Sequence, residues 1–474
     1  MSGAPDLDPA ALRGSRVTVV GLGKGRTAVG LVRFLLAHGA RVTVTDDKGP
    51  EQLAEGLARL AGLDVRLALG GDAADRAIDG ADLVFHIPGV PPAAPALVRA
   101  ARRRVPVLTE MELFFRLCPA PIVGITGTKG KTTTTTLIGR MLEATGRRVL
   151  LGGNIGTAVL DEVDGLGPDD LVVLELSSFQ LEPLRRSPHV AVITLVGEDH
   201  LDHHGSRAAY HAAKRNLVAW QGPGDIAVLD LDDPAAVALH AGCASELRGF
   251  SLVRRPRRGA WLDGTGRLVL VDGERERVVC AATELRVPGR HNVRNALAAA
   301  VAADALGVAP EASGAVLRAF TGVRHRQEPV GETDGVLWVN NSQGTTPDST
   351  IVALASYARP AVVILGGVSK GMSFAALARA LVDSGRGAVL IGRDAELIAA
   401  ELRAAKEALG RRDFPVLAAA TLDDAVARAR ALARPGDVVI LSPACQSFDM
   451  FDSFEERGDR FRDAVRAFAG PVRA

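Results

Sequence analysis

The stretch Pro121-Ile-Val-Gly-Ile-Thr-Gly-Thr-Lys-Gly-Lys-Thr-Thr-Thr-Thr-Thr-Leu137 constrains the fold more than any other part of the chain. Its apolar run at 122–125 reads as a buried strand, Gly127-Thr-Lys-Gly130 as a turn, and 131–144 as a helix by periodicity. That order aims backbone N–H groups and a helix N-terminus at one point, which suits a polyphosphate. Lys131 can reach terminal phosphates, and the Thr132 hydroxyl can ligate their Mg²⁺. The spacing departs from the usual phosphate loop, which has four residues between its glycines. Here there are two. Taken alone, the segment also fits a plain strand-to-helix turn with a surface lysine.

A length of 474 residues suggests about three domains. A 47% hydrophobic content supplies substantial cores, and a net charge of +1 argues against a nucleic-acid footprint or a basic membrane face. No apolar run is long enough to span a bilayer. Residues 1–15 lack the basic and apolar regions of a signal peptide. Cys118, Cys243, Cys280 and Cys445 are scattered without paired metal spacing, so a cytoplasmic protein with reduced thiols is expected. Only seven of the 56 basic residues are lysine. Lys129, Lys131, Lys214 and Lys370 all fall in candidate site segments, where lysine and arginine are not interchangeable.

Strands alternate with helices along most of the chain, which predicts mostly parallel sheets. The first segment has a strand at 16–21, a glycine turn at Leu22-Gly-Lys-Gly25 and a helix to about residue 38. A second strand at 41–45 ends at Asp46. This resembles a dinucleotide βαβ unit, although Arg26 stands where a third glycine is expected. A nucleotide pocket and a simple packing turn fit it equally. Further strands are expected at 82–89 and 105–109. In the middle segment they fall at 148–151, 171–175 and 190–195, followed by a helix at 206–220 that carries Lys214. Residues 250–287 read as a small antiparallel addition. The third segment begins near 323, with strands at 336–339, 361–365, 388–391 and 438–441.

Active sites of open α/β sheets lie at the carboxyl ends of strands. Three such ends in the middle segment carry ligand chemistry: Lys131/Thr132, Glu175, and the acidic-histidine cluster from Glu198 to His204. A carboxylate and an imidazole near a polyphosphate can hold Mg²⁺, although histidine is unusual for so hard a cation. The cluster equally fits a polar loop, or a zinc site without its cysteines.

Taken together, the motifs resemble the Mur ligases. They are Gly-Thr-Lys-Gly-Lys-Thr-Thr at 127–133, Gly-Gly-Asn-Ile-Gly at 152–156 and Leu-Glu-Leu-Ser-Ser-Phe-Gln-Leu-Glu at 174–182. Glu-Asp-His-Leu-Asp at 198–202, Tyr-His-Ala-Ala-Lys at 210–214 and Gly-Arg-His-Asn-Val-Arg-Asn-Ala at 289–296 continue the series. Leu-Ser-Pro-Ala-Cys-Gln-Ser at 441–447 and Phe-Glu-Glu-Arg-Gly at 454–458 resemble the MurD type most closely.

The resemblance implies an α/β chain of three domains. These are a Rossmann-like UDP-sugar domain at 1–110, a central P-loop ATPase domain with a mostly parallel sheet at 111–322, and a Rossmann-like amino-acid domain at 323–474. It implies ATP-dependent joining of glutamate to UDP-N-acetylmuramoyl-L-alanine through an acyl phosphate, in peptidoglycan precursor synthesis. D-glutamate comes first, with the L-glutamate-adding variant or a catalytically altered relative as alternatives. Lys131, Glu175, His200 and Lys214 would be catalytic. Gly127, Thr128, Lys129, Gly130, Lys131, Thr132, Thr133, Asn292, Asn295, Arg326 and Asn341 would bind ATP. Thr132, Glu175, His200 and an N-carbamylated Lys214 would hold two Mg²⁺ ions. Leu22, Lys24, Asp46, Asp47, Lys48, Gly89 and Asn154 match the UDP-substrate region, and Thr345, Lys370, Ser447, Phe448 and Phe454 would surround glutamate. The partners implied are these small molecules, with no nucleic acid and no membrane insertion, and a monomer is expected.

The pattern breaks in two places. The type usually carries Asp-Ser-Lys-Ala-Thr-Asn where this chain has Asn341-Ser-Gln-Gly-Thr-Thr346, and an Asn where it has Lys129. Gln343 therefore lacks a charge that Lys129 could supply, and ordinary drift accounts for both changes equally. A dehydrogenase would use the 21–25 turn but leaves Lys131, Glu175, His200 and Lys214 unexplained. A non-catalytic binding relative could carry the Asn341 and Gln343 changes. Folylpolyglutamate synthase shares the central ATPase but not the fit of the flanking segments.

Overall fold

The computed structural model describes residues 9–23, 26–155, 158–287, 289–369 and 371–468. The chain divides into two compact units, Met1–Leu285 with Arg290–Ala319, and Arg286–Gly289 with Phe320–Ala474.

The first unit contains two sheets. In the N-terminal sheet β1 (Arg16–Val20), β2 (Arg41–Asp46), β3 (Val65–Leu69), β4 (Leu83–His86) and β5 (Val107–Thr109) are all parallel, in the order β3-β2-β1-β4-β5. This is the Rossmann order, with its reversal between β1 and β4. The next sheet has nine strands: β6 (Ile122–Thr126), β7 (Val149–Gly153), β8 (Leu171–Glu175), β9 (Val190–Ile193), β10 (Ile226–Asp230), β11 (Glu246–Ser251), β12 (Arg258–Leu262), β13 (Arg267–Asp272) and β14 (Arg275–Ala281). Their order is β14-β13-β12-β11-β10-β9-β6-β8-β7. Strands β6, β8 and β9 are buried along their whole length, as apolar runs covered on both faces should be. The antiparallel addition expected at 250–287 is continuous with this sheet, because β11 pairs parallel with both β10 and β12 before the chain reverses into β13 and β14. One apolar core joins the two sheets, running from Val19, Phe34 and Phe85 through Phe114 and Leu160 to Val172 and Leu229.

The second unit holds β15 (Glu328–Thr333), β16 (Val336–Asn340), β17 (Ala361–Gly366), β18 (Gly387–Ile391), β19 (Val416–Ala418) and β20 (Val438–Leu441), in the order β15-β16-β20-β17-β18-β19. Only β15 runs antiparallel. Helices Ala375–Ser384 and Ala395–Ala408 bury their apolar stripes on one face, and Leu422–Leu432 and Phe454–Arg466 on the other. Each sheet is thus wholly or largely parallel, as the alternation of strands and helices along the chain requires.

Candidate active site

Strand β6 lies between β9 and β8, so the loops leaving their carboxyl ends are neighbours. The turn after β6 needs its glycines. Gly127 has φ 154°, and a Cβ there would come 1.9 Å from Thr194 Oγ1; Gly130 has φ 90°, and a Cβ would come 2.5 Å from Asn295 Oδ1. Both approaches are too close for any side chain. The turn is tied to the β9 loop by three bonds: Thr128 N to Leu195 O at 2.7 Å, Gly197 N to Thr128 Oγ1 at 2.9 Å, and Thr194 Oγ1 to Lys129 O at 2.7 Å. Helix Lys131–Glu143 starts directly from it, with Thr132 and Thr133 buried and Lys129 exposed.

Lys131 Nζ donates to the carbonyl oxygens of Gly127 (2.9 Å) and Thr128 (3.3 Å). Lys214 reaches the same turn from helix Arg207–Arg215. Its Nζ donates to Gly127 O at 3.0 Å and to Thr126 Oγ1 at 3.3 Å, and lies 4.6 Å over the Tyr210 ring. The side chain is 1% exposed. Burial, with Lys131 as the nearby cation, pushes its pKa down to about 7, against the smaller pull of Asp199 and Glu175. Burial likewise raises Tyr210 to about 12, so its hydroxyl keeps a proton to share with Thr128 Oγ1 at 3.0 Å.

Glu175, at the end of β8, is 2% exposed. Its Oε1 accepts from Asn154 Nδ2 at 2.9 Å, and Asn154 N donates to the Glu175 carbonyl at 2.8 Å. Glu175 Oε2 is buried with no partner among the described residues. A desolvated carboxylate oxygen left open in this way fits a cation. Together with the Thr132 hydroxyl it offers the oxygen donors that Mg²⁺ prefers. His200 is exposed, has φ 51° and caps the short helix Leu201–His204. Its ring packs 4.8 Å from that of Phe179 on the segment that follows Glu175. Asn295 lies on helix Arg290–Ala305, where Thr134 Oγ1 donates to its Oδ1 (3.4 Å) and its Nδ2 donates to Asn292 Oδ1 (3.3 Å).

The N-terminal sheet places Leu22, Asp46, Asp47 and Lys48 at its carboxyl edge. The Asp46 carboxylate accepts from the backbone N–H groups of Leu22 (2.8 Å), Gly23 (3.4 Å) and Lys48 (3.1 Å), so it braces the glycine turn. Asp47 and Lys48 are exposed, and Gly89 has φ 92° with open space around it. Lys24 lies outside the described residues, as does Lys370.

In the second unit, the Asn341 side chain is 4% exposed and bonded at both ends: Nδ2 donates to Ser442 Oγ at 2.9 Å and Oδ1 accepts from Gln327 N at 3.2 Å. Arg326 forms a β-bridge with Val323, and Thr345 N donates to Gln343 O at 2.9 Å. Ser447 is 2% exposed and its Oγ has no partner among the described residues. Phe448 is about half exposed, and the Phe454 ring packs edge-on against His325.

Several residues at these sites escaped the sequence. Tyr210, Thr126 and Thr194 hold the lysine pair and the turn in place. Tyr210 stood in the Tyr-His-Ala-Ala-Lys motif, four residues before Lys214 on the same helix face, but was given no role. Arg457 is 1% exposed and donates to Ser342 Oγ (3.0 Å), Ser342 O (2.9 Å) and Cys445 O (3.3 Å), joining the loops that carry Asn341 and Ser447.

Comparison with known proteins decides what kind of site this is. The chain is 44% identical to the UDP-N-acetylmuramoylalanine–D-glutamate ligase of Pelotomaculum thermopropionicum, over 95% of this chain and 98% of that one. This chain belongs to the Mur ligase family. The corresponding ligase of Symbiobacterium thermophilum is 41% identical over 96% of this chain and 98% of its own. Three family models match in order: the MurD-like N-terminal domain at 15–109, the Mur ligase middle domain at 125–303, and the Mur ligase glutamate ligase domain at 325–445. The fold agrees with that of UDP-N-acetylmuramate-alanine ligase MurC from Thermotoga maritima, with a TM-score of 0.58 over 95% of this chain and 99% of that one at 20% identity. The chain is thus a Mur ligase of the MurD type with the expected α/β architecture. Among its described residues no helix is long and apolar enough to cross a membrane.

Proposed function

We propose that this Mur ligase joins D-glutamate to UDP-N-acetylmuramoyl-L-alanine at the expense of ATP, a step of peptidoglycan precursor synthesis. The observation that carries the reading is the full-length identity with D-glutamate ligases, together with two lysines sharing one carbonyl oxygen and an open carboxylate at one sheet edge. Three separate sheets and three successive family matches support the division at 1–110, 111–322 and 323–474 for UDP-sugar, ATP and amino acid.

In the reaction the alanyl carboxylate attacks the γ-phosphorus of ATP, forming an acyl phosphate and releasing ADP. The glutamate amine then attacks the acyl carbon, and phosphate leaves as the amide forms. Two anions meet in the first step, so the chain must supply positive charge and position; phosphoryl transfer asks for little else. The turn at 127–130 presents backbone N–H groups to the phosphates, and Lys131 exchanges its carbonyl partners for a phosphate oxygen. Thr132, Glu175, His200 and Lys214 would hold two Mg²⁺ ions, which would neutralise phosphate charge. Asn154 keeps Glu175 oriented with Oε2 outward.

Lys214 serves this set as a carbamate. Its neutral amine adds to CO₂, forming an N–C bond and releasing one proton, and the product is an anion that can ligate a metal. A buried amine with a pKa near 7 is suited to that step. On the other substrates, Asn292 and Asn295 line the nucleotide with Arg326 and Asn341, while Thr345, Lys370, Ser447, Phe448 and Phe454 receive glutamate. Leu22, Lys24, Asp46, Asp47, Lys48 and Gly89 form the UDP region. The enzyme acts as a cytoplasmic monomer.

ADP release measured with each substrate omitted in turn tests this reading. Beyond the one equivalent that the acyl-phosphate step itself forms, release over many turnovers should require both the UDP-sugar and D-glutamate; sustained release that proceeds equally with L-glutamate, or without any amino acid, would overturn it.

A further inference from the structure

A second cluster of ligand atoms lies beside the proposed Mg²⁺ residues and is not used by them. Glu182 follows the turn of helix Ser178–Leu181, and His203 and His204 close helix Leu201–His204. One ligand atom from each lies within 4.8 Å of the other two. His203 Nε2 is 2.9 Å from Glu182 Oε2, and His204 Nδ1 is 3.9 Å from Glu182 Oε1. Two ligands about 2.1 Å from a tetrahedral metal stand about 3.4 Å apart, so these separations bracket what a bound ion needs.

The state of His204 points to a ligand. Its side chain is 0% exposed, and Nδ1 has no hydrogen-bond partner among the described residues. Its other nitrogen, Nε2, is 3.0 Å from Ser178 Oγ. With Nε2 donating to that hydroxyl, Nδ1 carries a bare lone pair facing a carboxylate. A buried nitrogen lone pair facing a carboxylate oxygen is repelled by it unless a cation sits between them. The hydroxyl is the kind of outer partner that fixes the tautomer of a metal-bound imidazole. The Phe179 ring covers the cluster, with its centroid 4.6 Å from His203 and 5.6 Å from His204.

We propose that Glu182, His203 and His204 form a binding site for a borderline-soft divalent cation, best fitted by Zn²⁺. Two imidazoles and one carboxylate with a fourth position for water are a zinc donor set, whereas Mg²⁺ favours oxygen. The ion clamps the 201–204 helix to the 178–181 turn and so holds His200 at the edge of the active site. This inference stands on its own donor atoms and does not depend on the proposed reaction.

The test is calorimetric titration of the metal-free full-length chain with ZnCl₂ in excess Mg²⁺, with thermal unfolding measured alongside. One equivalent should bind and raise the Tm, as any ligand of the native state does. Glu182→Gln and His203→Gln alter partly exposed side chains; each should weaken binding by about tenfold or more. His204→Gln should do the same, while Glu175→Gln, Cys118→Ser and Cys243→Ser should leave it unchanged. No binding in excess Mg²⁺, or equal binding by Glu182→Gln and His203→Gln, would overturn the site.

Discussion

Lys131 and Lys214 donate to one and the same acceptor, the Gly127 carbonyl oxygen, at 2.9 and 3.0 Å. Two ammonium groups around one oxygen repel, and the more buried one yields its proton more readily. Lys214 is that one, and Lys131 is left as the cation of the pair, the one that the proposed reaction turns toward the phosphates.

Replacing Lys214 by Ala should therefore remove more than a charge. We expect kcat to fall by about 100-fold or more, in the range seen when one electrostatic group of an active site is lost. Short-chain carboxylates added to the buffer should restore part of the activity, by standing in for the carbamate. Wild-type turnover in the variant would show that Lys214 is only a packing residue.

Glu175→Gln should separate chemistry from stability. The amide keeps the shape and can still meet Asn154, but it removes the anionic Oε2. Turnover should drop about 100-fold with the Tm within a few degrees of the parent. Asn154→Ala, which frees Glu175 to rotate, should cost about 10-fold to 100-fold in apparent Mg²⁺ affinity or activity, as for an outer partner of a metal ligand. A variant that unfolds but turns over normally when folded would place Glu175 in the fold alone.

Glu110 gives a pH dependence of stability. It is 5% exposed at the start of helix Glu110–Leu117, and burial, aided by Asp161, pushes its pKa up to about 8. A carboxyl whose folded pKa is raised stabilises the fold below its unfolded value, and this contribution is lost as pH rises toward 8. Glu110→Gln should thus be near neutral at pH 5 and stabilising at pH 8, by up to about 4 kcal/mol. Urea denaturation at the two pH values checks the sign; a difference that does not change with pH would refute it.

Arg457 should matter to the second unit out of proportion to its single charge. Burial lowers its pKa to about 10, yet it stays charged at neutral pH and serves backbone acceptors rather than a carboxylate. Arg457→Met would strand the Ser342 and Cys445 carbonyls, at about 1–3 kcal/mol for each buried acceptor left unpaired. Chemical denaturation should show a loss of about 3 kcal/mol. A loss within experimental error would mean that water replaces the guanidinium.

Much of this was legible in the chain. The phosphate turn was readable because only glycine tolerates the approaches at 127 and 130, and the β6, β8 and β9 strands because they are buried on both faces. Strands β3, β15 and β19 were missed: they lie at sheet edges, are partly exposed and lack a continuous apolar run. Strand β10 was missed as well, although it is buried along its whole length inside the nine-stranded sheet. The helix expected at 206–220 is Arg207–Arg215, and the residues after it pack as turns. Side-chain partners were the least readable. Nothing in the order of residues says that Asp46 turns inward to brace residues 22 and 23, or that Glu182 meets His203 and His204 across two short helices.

The central claim is that an acyl phosphate links ATP to the amide bond. Synthesis run with UDP-N-acetylmuramoyl-L-alanine labelled with ¹⁸O in its alanyl carboxylate tests it directly, with the released phosphate read by mass spectrometry. The attacking carboxylate oxygen must leave with the phosphorus, so each phosphate formed with D-glutamate should carry one labelled oxygen and the ADP none. Unlabelled phosphate formed alongside the amide product would contradict the account.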